Sequence, residues 1–503
     1  MNKRLNTLII ANVCLLMVPM ITFAELPTPT YGWNLGNTME PPCGEGCWAP
    51  AATQSLINQV AASGFNTIRI PVAWDSHANQ TTYVIDAAWL ARVKEVVDWC
   101  LARNLHVVVN SHWDNGWLER NITNDVNTTI NAKQSSYWTQ IANTFVNYDD
   151  RLLFAGANEP DADTAAEMST LLVYYQTFVD AVRATGGQNT NRWLVLSGPT
   201  TNIDLTYNLM NTLPYDPTPG RLMVEVHDYT PFNYTLMTSD ADWGKMFYFW
   251  GQGYLHPTRL DRNPYWGEED YIQSQYQMMK TKFVDNGVPV LLGEFGTGLR
   301  SGYSDLTGVD YDLHVASRTY WNKTLVDYAN ARGLRPVYWD NGYAGSDGFA
   351  LFNRNTAAII DQDSITALTG GPALPPPSIE TGPGILREWW TGISGTAVSN
   401  LTSDINYPTN PNGRALLTSF EGPTNWADNY GTRIRGYLYP PADGDYTFWI
   451  ASDDASSLML STDDDPCHAV LIAYVASWTD SRVWNKEANQ QSLPKPLLAG
   501  HKY

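Results

Sequence analysis

Leu152-Leu153-Phe154-Ala155-Gly156-Ala157-Asn158-Glu159-Pro160 is an apolar run that stops abruptly at an amide, a carboxylate and a proline. Such a run reads as a fully buried strand, and the proline ends it. Glu159 is thereby left at the mouth of a sheet. Val288-Pro289-Val290-Leu291-Leu292-Gly293-Glu294-Phe295-Gly296 has the same build. Two buried strands that each deliver a Glu at the C-terminal end predict a shared cleft lined by two carboxylates.

Working outward from these stretches, strands and helices alternate. Strands are expected at Tyr31–Leu35, Thr67–Ile70, His106–Val109, Leu152–Ala157, Trp193–Leu196, Leu222–Val226, Val290–Gly293 and Pro336–Trp339. Helical periodicity falls between them, at Ala51–Ala62, Ala87–Arg103, Ala132–Asn147, Ala165–Ala184, Asp270–Asn286 and Ala316–Arg332. Eight apolar strands alternating with helices predict an α/β fold, a (β/α)8 TIM barrel over residues 25–365. An open doubly wound sheet is the alternative, but it explains less readily why polar residues end nearly every strand.

Residues 366–384 are expected to be a linker, because Gly370-Gly371-Pro372, Pro375-Pro376-Pro377 and Gly382-Pro383-Gly384 favour extended chain. Beyond it, short β-like runs such as Thr432–Tyr439 and Asp445–Ile450, separated by Asp, Gly, Pro and Asn, predict a second, smaller all-β sandwich over 385–503.

The first 24 residues read as a secretory signal: Lys3 and Arg4, an apolar run from Leu8 to Met20, and Thr22-Phe23-Ala24 before a cleavage site. The mature chain is expected to be secreted, extracellular or periplasmic, with no later segment apolar enough to span a membrane. Loss of Lys3 and Arg4 would take the formal charge of −20 to −22, since residues 1–24 hold no Asp or Glu. That acidity argues against nucleic acid or an anionic membrane as partner; it fits a soluble enzyme acting on a neutral polymer, and solubility alone explains it equally well. The chain is expected to be a monomer. With 20 Trp and 28 Tyr against 14 Phe, the aromatic side chains lean towards rings that stack on sugars as well as fill cores. Cys43-Gly-Glu-Gly-Cys47 either closes a small disulfide loop or, less readily, joins a metal site, and Cys100 reads as a buried thiol.

Barrel sites are built at the C-terminal strand ends. Those ends carry Asn34, Arg69, His112, Asn158 with Glu159, His227 with Tyr229, Glu294 and Trp339. Taken singly, each has a plainer role: a surface charge, a core histidine, barrel filling, or an Arg69 paired with a buried acid. Taken together, at corresponding strand ends, they form a site. Hydrolysis of a glycosidic bond needs one acid for the leaving oxygen and one carboxylate to attack or to activate water.

The region from Tyr31 to about Asp361 resembles glycoside hydrolase family five, the cellulase family A. The motifs are Gly32-Trp33-Asn34-Leu35-Gly36-Asn37-Thr38, Gly64-Phe65-Asn66-Thr67-Ile68-Arg69-Ile70-Pro71, Val109-Asn110-Ser111-His112, Asn158-Glu159-Pro160, His227-Asp228-Tyr229, Gly293-Glu294-Phe295-Gly296 and the Trp339 strand. The resemblance implies a retaining endo-β-1,4-glucanase acting on β-glucan polysaccharide, with no cofactor for catalysis; a β-mannanase, xyloglucanase or lichenase is the alternative on the same scaffold. It implies Glu159 as general acid/base and Glu294 as nucleophile, with Arg69 and Tyr229 orienting Glu294 and His227 adjusting Glu159. Asn158 would bond the sugar 2-hydroxyl, His112 would contact the sugar, and Trp339 would form a stacking floor. Glu294 beside Arg69 is then expected to have a depressed pKa, and Glu159 to keep its proton longer. Trp48, Trp113, Trp117, Trp250 and Trp266 are candidate outer platforms. A non-catalytic glycan-binding protein is the reading from another class, and the intact Glu pair speaks against it.

The C-terminal part resembles the β-sandwich named after the anthrax protective antigen, through Leu386-Arg387-Glu388-Trp389-Trp390, Asn429–Tyr437 and Gly444–Asp454. Asp453 and Asp454 stand where some lectin members of that family bind calcium, so calcium is a possible ligand here; an acidic turn is the alternative. The family's closing strands are missing after Tyr503, so the domain is expected to be truncated.

Overall fold

The computed structural model of the protein describes residues 26–377, 385–408, 411–464 and 466–503. The expected signal segment, 1–24, and the last part of the expected linker, 378–384, lie outside the described residues. The chain divides into two compact units, with the break between Ile379 and Glu380.

The first unit is a closed barrel of eight parallel strands in sequence order. Its elements are β1 (Gly32–Leu35), α1 (Gln54–Ala62), β2 (Thr67–Ile70), α2 (Ala87–Leu101), β3 (His106–Asn110), α3 (Thr128–Thr144), β4 (Leu152–Ala155) and α4 (Ala165–Ala184). There follow β5 (Leu194–Ser197), α5 (Ile203–Leu209), β6 (Leu222–Asp228), α6 (Phe232–Thr235), α7 (Glu269–Lys282), β7 (Val290–Phe295), α8 (Val309–Ala331), β8 (Leu334–Asp340) and α9 (Gln362–Leu368). β1 pairs with β8 to close the ring. Helix starts follow local chemistry. Asp86 accepts from Ala88 and Trp89 N–H at the head of α2, and Thr164 with Glu167 forms a capping box on α4.

The strand period of two separates the side chains into two cores. Val108, Leu153, Ala155, Val195, Met223, Leu291 and Val337 pack together inside the barrel, joined by Leu26 from ahead of β1. Their neighbours Val107, Val109, Phe154, Leu194, Leu196, Val224, Leu292 and Tyr338 belong to the larger core under the helices. Two positions further along the same inward rows, at the C-terminal end of the barrel, come Asn110, Glu225 and Trp339. The alternation that fills the barrel with aliphatics therefore also aims polar groups into its mouth.

β7 breaks this alternation. Against β6 its register runs Val226↔Leu292 and then His227↔Glu294, and against β8 it runs Leu292↔Pro336 and then Phe295↔Tyr338. Both neighbours thus see one extra residue in β7, a bulge at Gly293–Glu294. A regular strand with Leu291 inward would turn Glu294 outward; the bulge turns it in.

Residues 366–368, expected in the linker, are the last turn of α9. The chain after it stays tied to the barrel: Leu374 N–H donates to Thr319 Oγ1 at 3.0 Å and Leu374 C=O accepts from Tyr254 Oη at 2.9 Å. Helix α9 is amphipathic enough to bury Ile365 and Leu368, and this outweighs the Gly and Pro content that follows.

The second unit contains β9 (Ile385–Thr391), α10 (Val398–Thr402), β10 (Gly413–Leu417), β11 (Tyr430–Arg435), β12 (Gly444–Tyr446), β13 (Ser456–Ser461), β14 (Ala469–Val475) and β15 (Lys495–Leu497). These strands form three separate antiparallel sheets, ordered β10-β9-β11, β12-β15 and β13-β14. Buried Trp390 and the ion pair of fully buried Glu388 with Arg433 at 2.7 Å hold the first of them.

Candidate active site

Arg69 on β2 is fully buried and organises the mouth of the barrel. Its Nη1 donates to Glu294 Oε1 at 2.8 Å and to Asn34 Oδ1 at 3.0 Å, and its Nη2 donates to Asn158 Oδ1 at 2.8 Å. Its Nε lies 3.0 Å from Glu225 Oε1. A guanidinium in a strand interior is tolerated only with such partners. Asn34 serves behind the site: it is fully buried, and its Nδ2 donates to the carbonyls of Gly293 at 2.8 Å and Tyr338 at 3.2 Å. Asn158 has its amide oxygen held by Arg69, which leaves Nδ2 as a donor.

Glu294 also accepts from Tyr229 Oη at 3.0 Å. Its side chain is only 7% exposed, whereas that of Glu159 is 46% exposed and fronts the open end of the barrel. His227 joins the two: its Nδ1 is 2.7 Å from Glu159 Oε1 and 3.7 Å from Glu294 Oε2. One carboxylate oxygen of Glu159 and one of Glu294 lie within 4.8 Å of each other.

The charge balance differs from the one expected. Burial alone would raise Glu159, but the hydrogen bond and charge of His227 outweigh it and hold Glu159 below its ordinary value. Burial pushes Glu294 up, more than His227 and Arg69 pull it down. Burial alone would lower His227, but Glu294, Glu159 and Glu225 push it up to about 10. The expectation of a depressed Glu294 counted Arg69 and left out the burial of Glu294 itself and, after it, the nearby charges of Glu159 and Glu225. It also left out the direct contact of His227 with Glu159. The proton expected on Glu159 therefore sits on the His227 side of their 2.7 Å hydrogen bond.

His112 follows β3, and its ring lies parallel to that of Trp339, at 5° and 5.8 Å between centroids. Asn110 Oδ1 accepts from Val72 N–H, so its Nδ2 donates to His112 Nδ1 at 3.1 Å and leaves the proton of the neutral ring on Nε2. Burial, with Arg69 and His227 nearby, keeps His112 well below its ordinary value and therefore neutral.

The structure thus brings together Asn34, Arg69, His112, Asn158, Glu159, His227, Tyr229, Glu294 and Trp339. Sequence reasoning missed Glu225, fully buried on β6, and Glu119, whose Oε1 accepts from Glu159 N–H at 2.9 Å. It also missed Glu40, which accepts from the N–H groups of Asn37 and Thr38. Burial, reinforced by the charges of Glu159 and Glu294, pushes Glu119 up to about 8; burial pushes Glu40 up to about 7. Glu225 carried a signal, a charge inside an apolar strand two residues before His227. Glu119, which opens a short 3-10 turn, and Glu40, in a loop, carried none.

Of the tryptophans proposed as platforms, Trp48 and Trp266 are exposed and Trp113 is half-buried. Trp117 and Trp250 are buried: Trp117 packs edge-on against Tyr137, and Trp250 Nε1 donates to Gly267 C=O at 2.9 Å. Those two are packing residues.

Cys43 and Cys47 form a disulfide, and Cys100 is a buried thiol. Asp453 and Asp454 are both exposed, and among the described residues no third His, Cys, Asp or Glu joins them at ligand distance. Calcium takes six to eight oxygens, and two carboxylates alone fall short of that set.

A (β/α)8 barrel whose mouth holds two carboxylates, one buried and one exposed, is an arrangement that hydrolysis of a glycosidic bond can use. The model of the cellulase family, glycosyl hydrolase family 5, matches residues 32–345, and the chain belongs to that family. Enzymes of this family retain the anomeric configuration and need no cofactor for catalysis. The PA14 domain model matches residues 396–465. "Endoglucanase A" of Paenibacillus barcinonensis is 36% identical over 366 residues, covering 68% of this chain and 87% of that protein. Among solved structures, the family 5 xyloglucanase from Paenibacillus pabuli matches with a TM-score of 0.61 at 36% identity, covering 68% of this chain and 98% of that one. A broad specificity endoglucanase from Bacteroides salanitronis matches with a TM-score of 0.61 at 33% identity, covering 70% and 97%. Among the described residues, no helix is long and apolar enough to cross a membrane.

Proposed function

We propose that the chain is an exported retaining endo-β-1,4-glucanase that cleaves internal bonds of cellulose-like β-glucans with Glu159 and Glu294. The observation that carries this is the approach of their carboxylate oxygens within 4.8 Å. Such an approach supports the closer spacing of retaining sites, roughly 5–5.5 Å between carboxyl groups, over the roughly 6.5–9.5 Å of inverting ones. In the first step Glu294 attacks the anomeric carbon while the proton shared by Glu159 and His227 passes to the leaving oxygen. In the second, water attacks the glycosyl-enzyme and Glu159 takes its proton. Asn158 Nδ2 is positioned as donor to the sugar 2-hydroxyl, neutral His112 offers Nε2–H to a neighbouring hydroxyl, and Trp339 gives a ring face for stacking. Tyr229 and Arg69 hold Glu294 in line.

Export is supported by the Cys43–Cys47 disulfide, which persists in oxidising compartments. We propose the monomer as the working form. Calcium stays outside the catalytic proposal. Whether Asp453 and Asp454 bind it is settled by calorimetry on the whole chain with Asp453→Ala as control, and no heat with the wild type ends the idea.

The test is sugar release and product size on carboxymethylcellulose, xyloglucan, mixed-linkage glucan and glucomannan. Release from carboxymethylcellulose with a rapid fall in viscosity is expected; release from mannan alone overturns the reading. A second reading, preference for xyloglucan, is favoured by the likeness to the Paenibacillus pabuli xyloglucanase. Under it xyloglucan is cleaved faster than carboxymethylcellulose.

A further inference from the structure

Glu225 is fully buried in β6 and its contacts occupy a central position. Its Oε1 is 3.0 Å from Arg69 Nε and 3.2 Å from His227 Nε2, and its Oε2 is 3.5 Å from the Ser197 hydroxyl. Arg69 and His227 each turn their other end to one member of the carboxylate pair, Arg69 to Glu294 and His227 to Glu159. One oxygen is therefore the shared counterion of the two groups that hold the two carboxylates. The fold reserves space for it. A Cβ on Gly293, the bulge residue just before Glu294, would fall 1.9 Å from Glu225 Oε1.

We propose that Glu225 is a positioning residue that couples Glu159 to Glu294 through His227 and Arg69. Two cationic groups facing one buried site repel each other, and Glu225 supplies the charge that lets both stay. By accepting from Nε2–H, it also fixes the neutral tautomer of His227, so that Nδ1 is the atom that trades a proton with Glu159. Arg69 from β2, Tyr175 from α4, His227 from β6 itself and Glu294 from β7 interact with Glu225, and Glu119, Glu40, His112 and Tyr229 face the groups it couples. Without the negative charge of Glu225, the Glu159–His227 pair loses its proton at lower pH, and Glu294 ionises at lower pH. Both limbs of the activity profile then move in the acid direction.

The inference rests on the catalytic pair assigned above, and the experiment separates the two. Full-length wild type, Glu225→Gln, Glu225→Asp, Glu159→Ala and Glu294→Ala are compared on soluble β-glucan across pH, with thermal melts on each. Glu225→Gln is expected to lower kcat at least tenfold with KM within about threefold, and to shift both limbs to lower pH. Glu225→Asp keeps the charge but withdraws it by one methylene, so kcat falls while the limbs stay. If Glu225→Gln melts as a folded protein with unmoved limbs and near wild-type kcat, the inference is overturned; if it does not fold, wild-type kcat in Glu225→Asp overturns it. If Glu159→Ala and Glu294→Ala remain active, the catalytic reading itself is wrong.

Discussion

Glu159 and Glu294 meet different amounts of water, and that difference sorts their tasks. Glu294, 7% exposed and held by Arg69 and Tyr229, suits the attack proposed for it; Glu159, 46% exposed, suits the proposed exchange of a proton with a leaving group and with water. Glu159→Ala should lower kcat by about 10²–10⁴ on polymer. It should cost far less on an aryl glycoside whose leaving group needs no proton, and an equal loss on both would remove the acid role. Glu119 gives a stability test. Its folded pKa of about 8 lies above its ordinary value, so its contribution is present in acid and lost as pH rises through about 8. Melting of Glu119→Gln relative to wild type should therefore improve steadily from about pH 4.5 to 8 and level off above, by roughly 3–5 kcal/mol over the window. A difference independent of pH would contradict the assignment. The site was legible where it lay at strand ends after apolar runs, as with Asn158-Glu159 and Glu294. The pKa order was not legible, because it depends on how deeply the ring buries Glu294 and on a contact of His227 with Glu159 that arises only in the closed barrel.

At the level of elements, β7 shows what a one-residue irregularity does. Its bulge at Gly293–Glu294 reverses the direction of the nucleophile candidate, and Gly293 leaves room for Glu225. Gly293→Ala should cost about 1–3 kcal/mol through overpacking and lower kcat at least tenfold, read by melting and by kinetics; wild-type kcat would show that the carboxylate shifts harmlessly. The strands and α4 were legible because apolar runs and helical periodicity are local signals. The bulge was not, since register is a property of strand pairs. The Cys43–Cys47 loop closes so few residues that its reduction should cost about 2 kcal/mol at most. Glu45 inside it is also held by Arg92 of α2 at 2.8 Å, which limits the change further. Melting with and without reductant checks this.

At the level of the whole molecule, the barrel unit contains every group assigned to hydrolysis. A chain ending at Ile379 should keep kcat/KM on soluble β-glucan within about twofold of the full chain, and a larger loss would give the second unit a part in catalysis. The change of texture from alternating strands and helices to short β runs made two units legible. The break between the units falls inside the expected linker 366–384, whose first residues close α9 and which is tied to the barrel through Leu374. Composition reports what a segment cannot form alone, not what a neighbouring surface will hold.

The most direct test of the central claim is to trap the enzyme with a 2-deoxy-2-fluoro cello-oligosaccharide carrying a good leaving group and to map the attached sugar by peptide mass spectrometry. The account predicts one label per chain, on Glu294. A label on Glu159 or Glu225, or no covalent adduct while the wild type turns over the parent substrate, would contradict it.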